Sequence, residues 1–164
     1  MGQWQHLAKA SASKWAARYN IVLPYQLVEA IIQVESSGRP QAKRTEPDGR
    51  VSRGLMQLLD GTAEWLGFPK GDAMYDPGLN VDAGTKYLAW QIDRYKGDLM
   101  KAIAAYNSGT AQWNRKGVLT NENYVRKVMT AWKGSAGFGA AQAIGSVVVG
   151  IVALLAIAKG RLKA

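Results

Sequence analysis

The 164-residue chain has no cysteine and one histidine. Without cysteine there is no disulfide framework and no thiolate nucleophile. With His6 alone, a metal centre built on several imidazoles is excluded, and His6 itself reads as an exposed residue of the first helix. Acid is missing from one end of the chain. All twelve Asp and Glu lie before Lys133, so residues 1–133 carry a net charge of +6 and the remaining residues +3. A basic balance suits nucleic acid, anionic lipid or an acidic wall polymer. No Lys/Arg run exceeds two residues and no nucleic-acid motif is present, so nucleic-acid recognition is not expected. The N-terminus, "MGQWQHLAKASASKW", lacks the apolar core of a secretory signal. His6 stands where a myristoylation motif wants Ser or Thr.

The C-terminal stretch from Gly134 to Ala158 has no charge at all. As a helix it would span roughly 37 Å, more than the ~30 Å hydrocarbon core of a bilayer. Its Phe, Ile, Val and Leu residues each favour insertion by about 0.3–0.6 kcal/mol. Small residues four apart, Ala141 with Gly145 and Ser146 with Gly150, suit close helix packing. The expected organisation is a domain over 1–133, a transmembrane or membrane-inserting helix over 134–158 that meets lipid, and a basic tail over 159–164. A buried hairpin or an oligomerisation helix is the other reading of that segment.

The domain reads as all-α. Residues 4–18 carry apolar side chains at helical spacing, among them Leu7 and Trp15, with Tyr19 just beyond. Pro24 suits the start of a second helix, in which Leu27, Val28, Ile31, Ile32 and Glu35 recur at i, i+3 and i+4. The polar loop that follows favours at most a short hairpin at Asp48-Gly49. A short helix is expected near Thr62–Leu66, ended by Gly67. Asn80 and Asp98 suit helix caps, and Thr120 or Asn121 suits the start of a last helix.

Glu35 is the residue that calls for chemistry. It closes the apolar run "YQLVEAIIQV" on the same side as Ile31. Desolvation there raises a carboxyl pKa, and a glutamic acid still protonated near neutrality can give its proton to a leaving sugar oxygen. Glycosidases usually add a second carboxylate as nucleophile or base.

Six blocks occur in order: "ESSGRP" with Glu35, "GLMQL" at 54–58, "TA" at 62–63, "DPGLNVDAGTKYL" at 76–88, "AIAAYNSG" at 102–109 and "NYVRKV" at 123–128. Together, over roughly residues 20–130, they resemble the soluble lytic transglycosylase family, which is related to goose-type lysozyme. The resemblance implies a lysozyme-like α fold and cleavage of peptidoglycan between N-acetylmuramic acid and N-acetylglucosamine. It implies Glu35 as the single catalytic acid and base, with a substrate hydroxyl closing a 1,6-anhydromuramoyl end; the sequence gives no reason to invoke a metal or organic cofactor. It implies substrate-site positions at Ser36, Met56, Gln57, Tyr106, Asn107 and Tyr124. Gln57 would hydrogen-bond substrate, Met56 line the cleft, Tyr106 touch the glutamate, and Asn107 partner Tyr106. Packing or capping roles stand beside these for Ser36, Met56, Asn107 and Tyr124.

Two departures from the family pattern stand out. The loop between Glu35 and Gly54 is long and basic, so its Arg and Lys are expected beside the cleft, facing stem-peptide or lactyl carboxylates. It also holds Glu46 and Asp48. The usual proline before "TA" is replaced by Asp60-Gly61, so Asp48 or Asp60 is a possible second carboxylate for a hydrolase. Most of the six Trp and seven Tyr are expected in the core, with Trp113 the choice for a groove wall.

A wall-cleaving enzyme with no export signal fits a phage protein, carried in a virion with other virion proteins and used to open the wall as DNA is delivered into the cell. A late lysis enzyme, a part of a conjugation or secretion machine, and a non-enzymatic membrane-anchored wall-binding or channel protein are the competing readings.

Overall fold

The structure is a computed structural model, and residues 2–134 are described. Six α-helices form the body: α1 Gln5–Tyr19, α2 Tyr25–Ser36, α3 Asp60–Trp65, α4 Pro77–Arg94, α5 Leu99–Ser108 and α6 Glu122–Lys133. A small antiparallel sheet, β1 Lys43–Thr45, β2 Val51–Arg53 and β3 Leu58–Leu59, lies between α2 and α3, and a 3-10 turn spans Gly71–Tyr75. The sheet corrects the all-α expectation in one place. Asp48-Gly49 does turn a hairpin, pairing Lys43 with Arg53 and Thr45 with Val51, and Leu58-Leu59 then adds a third strand.

Amphipathic faces assemble the rest. Leu27, Val28, Ile31 and Ile32 of α2 are buried, and α2 packs on α1 and α6 while α4 packs on α1 and α5. Val125, Val128, Met129 and Trp132, the apolar set of α6, are all buried against the same core. Gly84 of α4 permits one close approach: a Cβ there would lie 2.6 Å from the Met56 Sδ.

The caps differ in part from the sequence reading. Asp98 does cap α5, accepting from the Lys101 amide. The cap of α4 is Asp76, which accepts from the Leu79 amide ahead of Pro77 at the first turn. Asn80 lies inside α4, fully buried. Its Oδ1 accepts from the Met56 amide at 2.7 Å, and its Nδ2 donates to Arg53 and Met74 carbonyls at 2.9 and 3.0 Å. It pins the 53–57 turn to α4, satisfying backbone groups that burial would otherwise leave unpaired.

Among the described residues no helix is long and apolar enough to cross a membrane. The span expected over 134–158 and the basic tail over 159–164 lie, beyond Gly134, outside the described residues.

Candidate active site

Helix α2 ends where the chain turns at Ser37, a non-glycine residue with φ 54°. Glu35 sits on that last turn, half-buried. Its Oε1 accepts a 2.6 Å hydrogen bond from the phenol of Tyr124 on α6. Burial is the chief cause that raises the Glu35 pKa; the Tyr124 hydrogen bond and the Arg44 charge oppose it, and the Glu46 charge adds to it. The phenols of Tyr106 and Tyr124 are pushed well up, first by burial and then by the Glu35 charge. Both therefore remain hydrogen-bond donors beside a carboxyl whose pKa is raised.

A cleft of about 280 Å³ opens at Glu35. The β1–β2 hairpin gives it Arg44, Glu46, Arg50 and Ser52; Gln57, Leu58, Leu59, Thr62 and Tyr87 form further wall; and Tyr106, Asn107 and Ser108 of α5, with Gly109 just beyond, complete it. Arg44 and Glu46 form an ion pair at 2.6 Å, so the basic loop does lie beside the cleft. Glu46 is its second carboxylate. Asp48 is paired with Arg50 at 2.7 Å and Asp60 with Arg53, and neither lines the cleft. Exposed Trp113, expected from sequence as a groove wall, is likewise absent from the lining of this cleft.

The six substrate positions separate. Gln57, Tyr106 and Asn107 line the cleft. Gln57 has φ 47°, an uncommon conformation for a side-chain-bearing residue. Its Nε2 donates to the Ala42 and Gly54 carbonyls, and its Oε1 accepts from the Ser52 hydroxyl. The amide donors are thus spent on the hairpin base, which leaves acceptor capacity on Oε1. Asn107 accepts from Asn121 at 3.1 Å. Tyr106 donates to the Met56 carbonyl at 2.9 Å, so the hydroxyl bonded to Glu35 is that of Tyr124 and not that of Tyr106. The other two, Ser36 and Met56, lie buried away from the cleft lining. The Ser36 hydroxyl is buried and donates to the Ile32 and Leu55 carbonyls. The Met56 side chain is fully buried against Gly84 and lines no part of the cleft.

Sequence reasoning did not single out Tyr87, Ser52 or Asn80 for the site. Tyr87 falls within the apolar periodicity of its helix. That periodicity marks an inward face, but does not show that the same face borders a cleft.

A half-buried carboxyl that borders an open cleft and is fixed by a phenol has the geometry of a general acid. The chain belongs to the family described as "Transglycosylase SLT domain", which matches residues 11–128. Among its relatives, the transglycosylase of Enterobacteria phage PRD1 is 38% identical over 128 residues, covering 77% of this chain and 41% of that protein. Membrane-bound lytic murein transglycosylase C of Yersinia enterocolitica is 32% identical over 118 residues, covering 63% and 30%. The chain thus spans less than half the length of these curated relatives. The fold is shared with the 70 kDa soluble lytic transglycosylase of Escherichia coli, with a TM-score of 0.52 and 25% identity over 80% of this chain and 19% of that one. It is also shared with an inactive mutant of the lytic transglycosylase Slt of Pseudomonas aeruginosa, with a TM-score of 0.57 and 22% identity over 76% and 23%. The expected lysozyme-like, mainly helical fold is the one observed.

Proposed function

We propose that the chain is a peptidoglycan lytic transglycosylase with Glu35 as its single acid and base. The observation that carries this reading is the raised, half-buried Glu35 carboxyl on the cleft, fixed by Tyr124. Protonated Glu35 gives its proton to the oxygen between N-acetylmuramic acid and N-acetylglucosamine as the anomeric C–O bond breaks. The muramoyl C6 hydroxyl oxygen then bonds to the anomeric carbon, and its proton passes to Glu35. The product is a 1,6-anhydromuramoyl end, no water is consumed, and the acid is regenerated. An internal hydroxyl held beside the reacting carbon has a high effective molarity, which makes a second carboxylate unnecessary. Tyr124 fixes the carboxyl; Gln57, Tyr106 and Asn107 are its neighbours on the substrate side.

The test is mass spectrometry of muropeptides released by the full chain from purified wall. Anhydro ends, lost in Glu35→Gln, support the reading. Reducing ends, heavier by one water, favour a hydrolase in which Glu46, the other cleft carboxylate, activates water. No release by a folded chain favours a wall-binding role.

For biological context, we infer a phage enzyme that opens the wall locally as the genome is delivered, carried in the virion and held at a membrane through residues 134–158. The support is the similarity to a phage transglycosylase and to membrane-bound murein transglycosylases, with the uncharged C-terminal run. Finding the protein in purified virions by mass spectrometry is the expected result. Its absence from virions with abundant late expression would favour a lysis enzyme.

A further inference from the structure

A row of aromatic rings leaves the cleft. Tyr106 and Tyr87, both cleft residues, have ring centroids 5.3 Å apart. Tyr87 stacks on Trp90, one turn further along α4, at 6.0 Å and 15°. Trp90 meets Trp65 edge to face at 4.9 Å. Helix α3 follows the same course: Thr62 lines the cleft, and Trp65 is the next residue on that face at i+3. Trp65 is 58% exposed. It is not what anchors α3, since Ala63 and Leu66 bury themselves in the core beneath. The outer end of the row is therefore an exposed indole whose plane is set by a second indole, continuous with the candidate active site.

We propose that Trp65 and Trp90 form an additional glycan subsite, on which a neutral N-acetylated aminosugar beyond the cleaved bond stacks its apolar C–H face. The proposal rests on the wall-cleaving reading above. A fixed aromatic face gives large contact area at low entropic cost, and a pyranose presents such a face with polar groups at its edge. Polar partners flank the row. The Arg94 guanidinium lies 5.3 Å from the Trp90 ring and donates to the carbonyl of Gly109, itself a cleft residue. The Glu64–Lys70 ion pair stands beside Trp65 in sequence. A surface meant for lipid would be flanked by apolar neighbours, whereas this strip is narrow and bordered by charge.

The probe is a pair of N-acetylglucosamine oligomers, a dimer and a hexamer, titrated into the full chain carrying Glu35→Gln and followed by calorimetry. Adding Trp65→Ala is expected to weaken hexamer binding roughly tenfold, as loss of an aromatic anchor does, and to leave dimer binding unchanged. Trp65→Tyr is expected to restore most of the loss. In otherwise wild-type chain, Trp65→Ala is expected to raise KM for long glycan strands with kcat intact. Unchanged hexamer affinity, or an equal loss for both oligomers, overturns the subsite. If the wild-type chain fails to cleave wall while hexamer binding still depends on Trp65, the enzymatic reading falls and the subsite remains.

Discussion

Replacing Tyr124 with Phe removes one oxygen, the donor of the 2.6 Å hydrogen bond to Glu35. A hydrogen bond to an ionised group contributes about 1.5–3 kcal/mol, and one between neutral groups about 1 kcal/mol. The loss of stability should therefore depend on the charge of Glu35. Burial raises the Glu35 pKa above its unfolded value, so its contribution to stability is fully present below about pH 4.3 and is lost as pH rises through the folded value. The Tyr124 hydrogen bond limits that loss by lowering the folded value. Without the phenol the folded value rises further and the loss continues to higher pH. The gap between wild type and Tyr124→Phe should open from about 1 kcal/mol at pH 4 to about 1.5–3 kcal/mol at pH 8. At about 4 °C per kcal/mol for a domain of this size, Tm at pH 8 falls by roughly 6–12 °C. Denaturant melts at both pH values measure the gap directly. The same change should move the alkaline limb of the activity profile to higher pH, because the acid must be protonated to act. An equal loss of stability at pH 4 and pH 8, or an alkaline limb that moves down, would refute the coupling.

Glu46→Gln removes a charge that raises the Glu35 pKa and leaves Arg44 unopposed, so the alkaline limb should shift to lower pH; Arg44→Gln should shift it to higher pH. Both shifts should shrink in 1 M salt, where the screening length is about 3 Å, and their persistence there would show that the cause is not the charge. Asn80→Ala strands the Met56 amide and two carbonyls, which should cost at least about 3 kcal/mol in chemical denaturation and reduce activity by loosening the Gln57 turn. Ser36→Ala should cost about 1–2 kcal/mol of stability while KM for wall fragments stays unchanged; a raised KM at intact stability would return the hydroxyl to the substrate side.

The helices were legible because their apolar faces repeat at 3.6 residues, and Glu35 was legible because a carboxyl closes such a face. The Asp48-Gly49 turn marked its hairpin through local chemistry alone. Tertiary relations were less visible. Asn80 looked like a cap because asparagine before an apolar helix usually is one, but Asp76 with Pro77 starts α4 four residues earlier and carries Asn80 into the core. Met56 and Gln57 are adjacent in sequence, yet one points into the core and the other borders the cleft, a division set by the left-handed backbone at Gln57. That Tyr124 and not Tyr106 bonds to the acid depends on how α6 docks on α2, which no local pattern encodes.

The bond between Glu35 and Tyr124 joins residues 89 positions apart. On the ribosome, the acid is made long before the helix that fixes it, and at about 5–20 residues per second the interval lasts seconds. A nascent domain therefore lacks the clamp on its acid until almost all of it has been synthesised. Equally, a single cut in the exposed stretch between α5 and α6, around Arg115 and Lys116, leaves both halves of the clamp chemically intact but held only by packing. On the proposed mechanism, catalytic competence then reports on the integrity of the whole domain, with its second helix and its last as the two contacts.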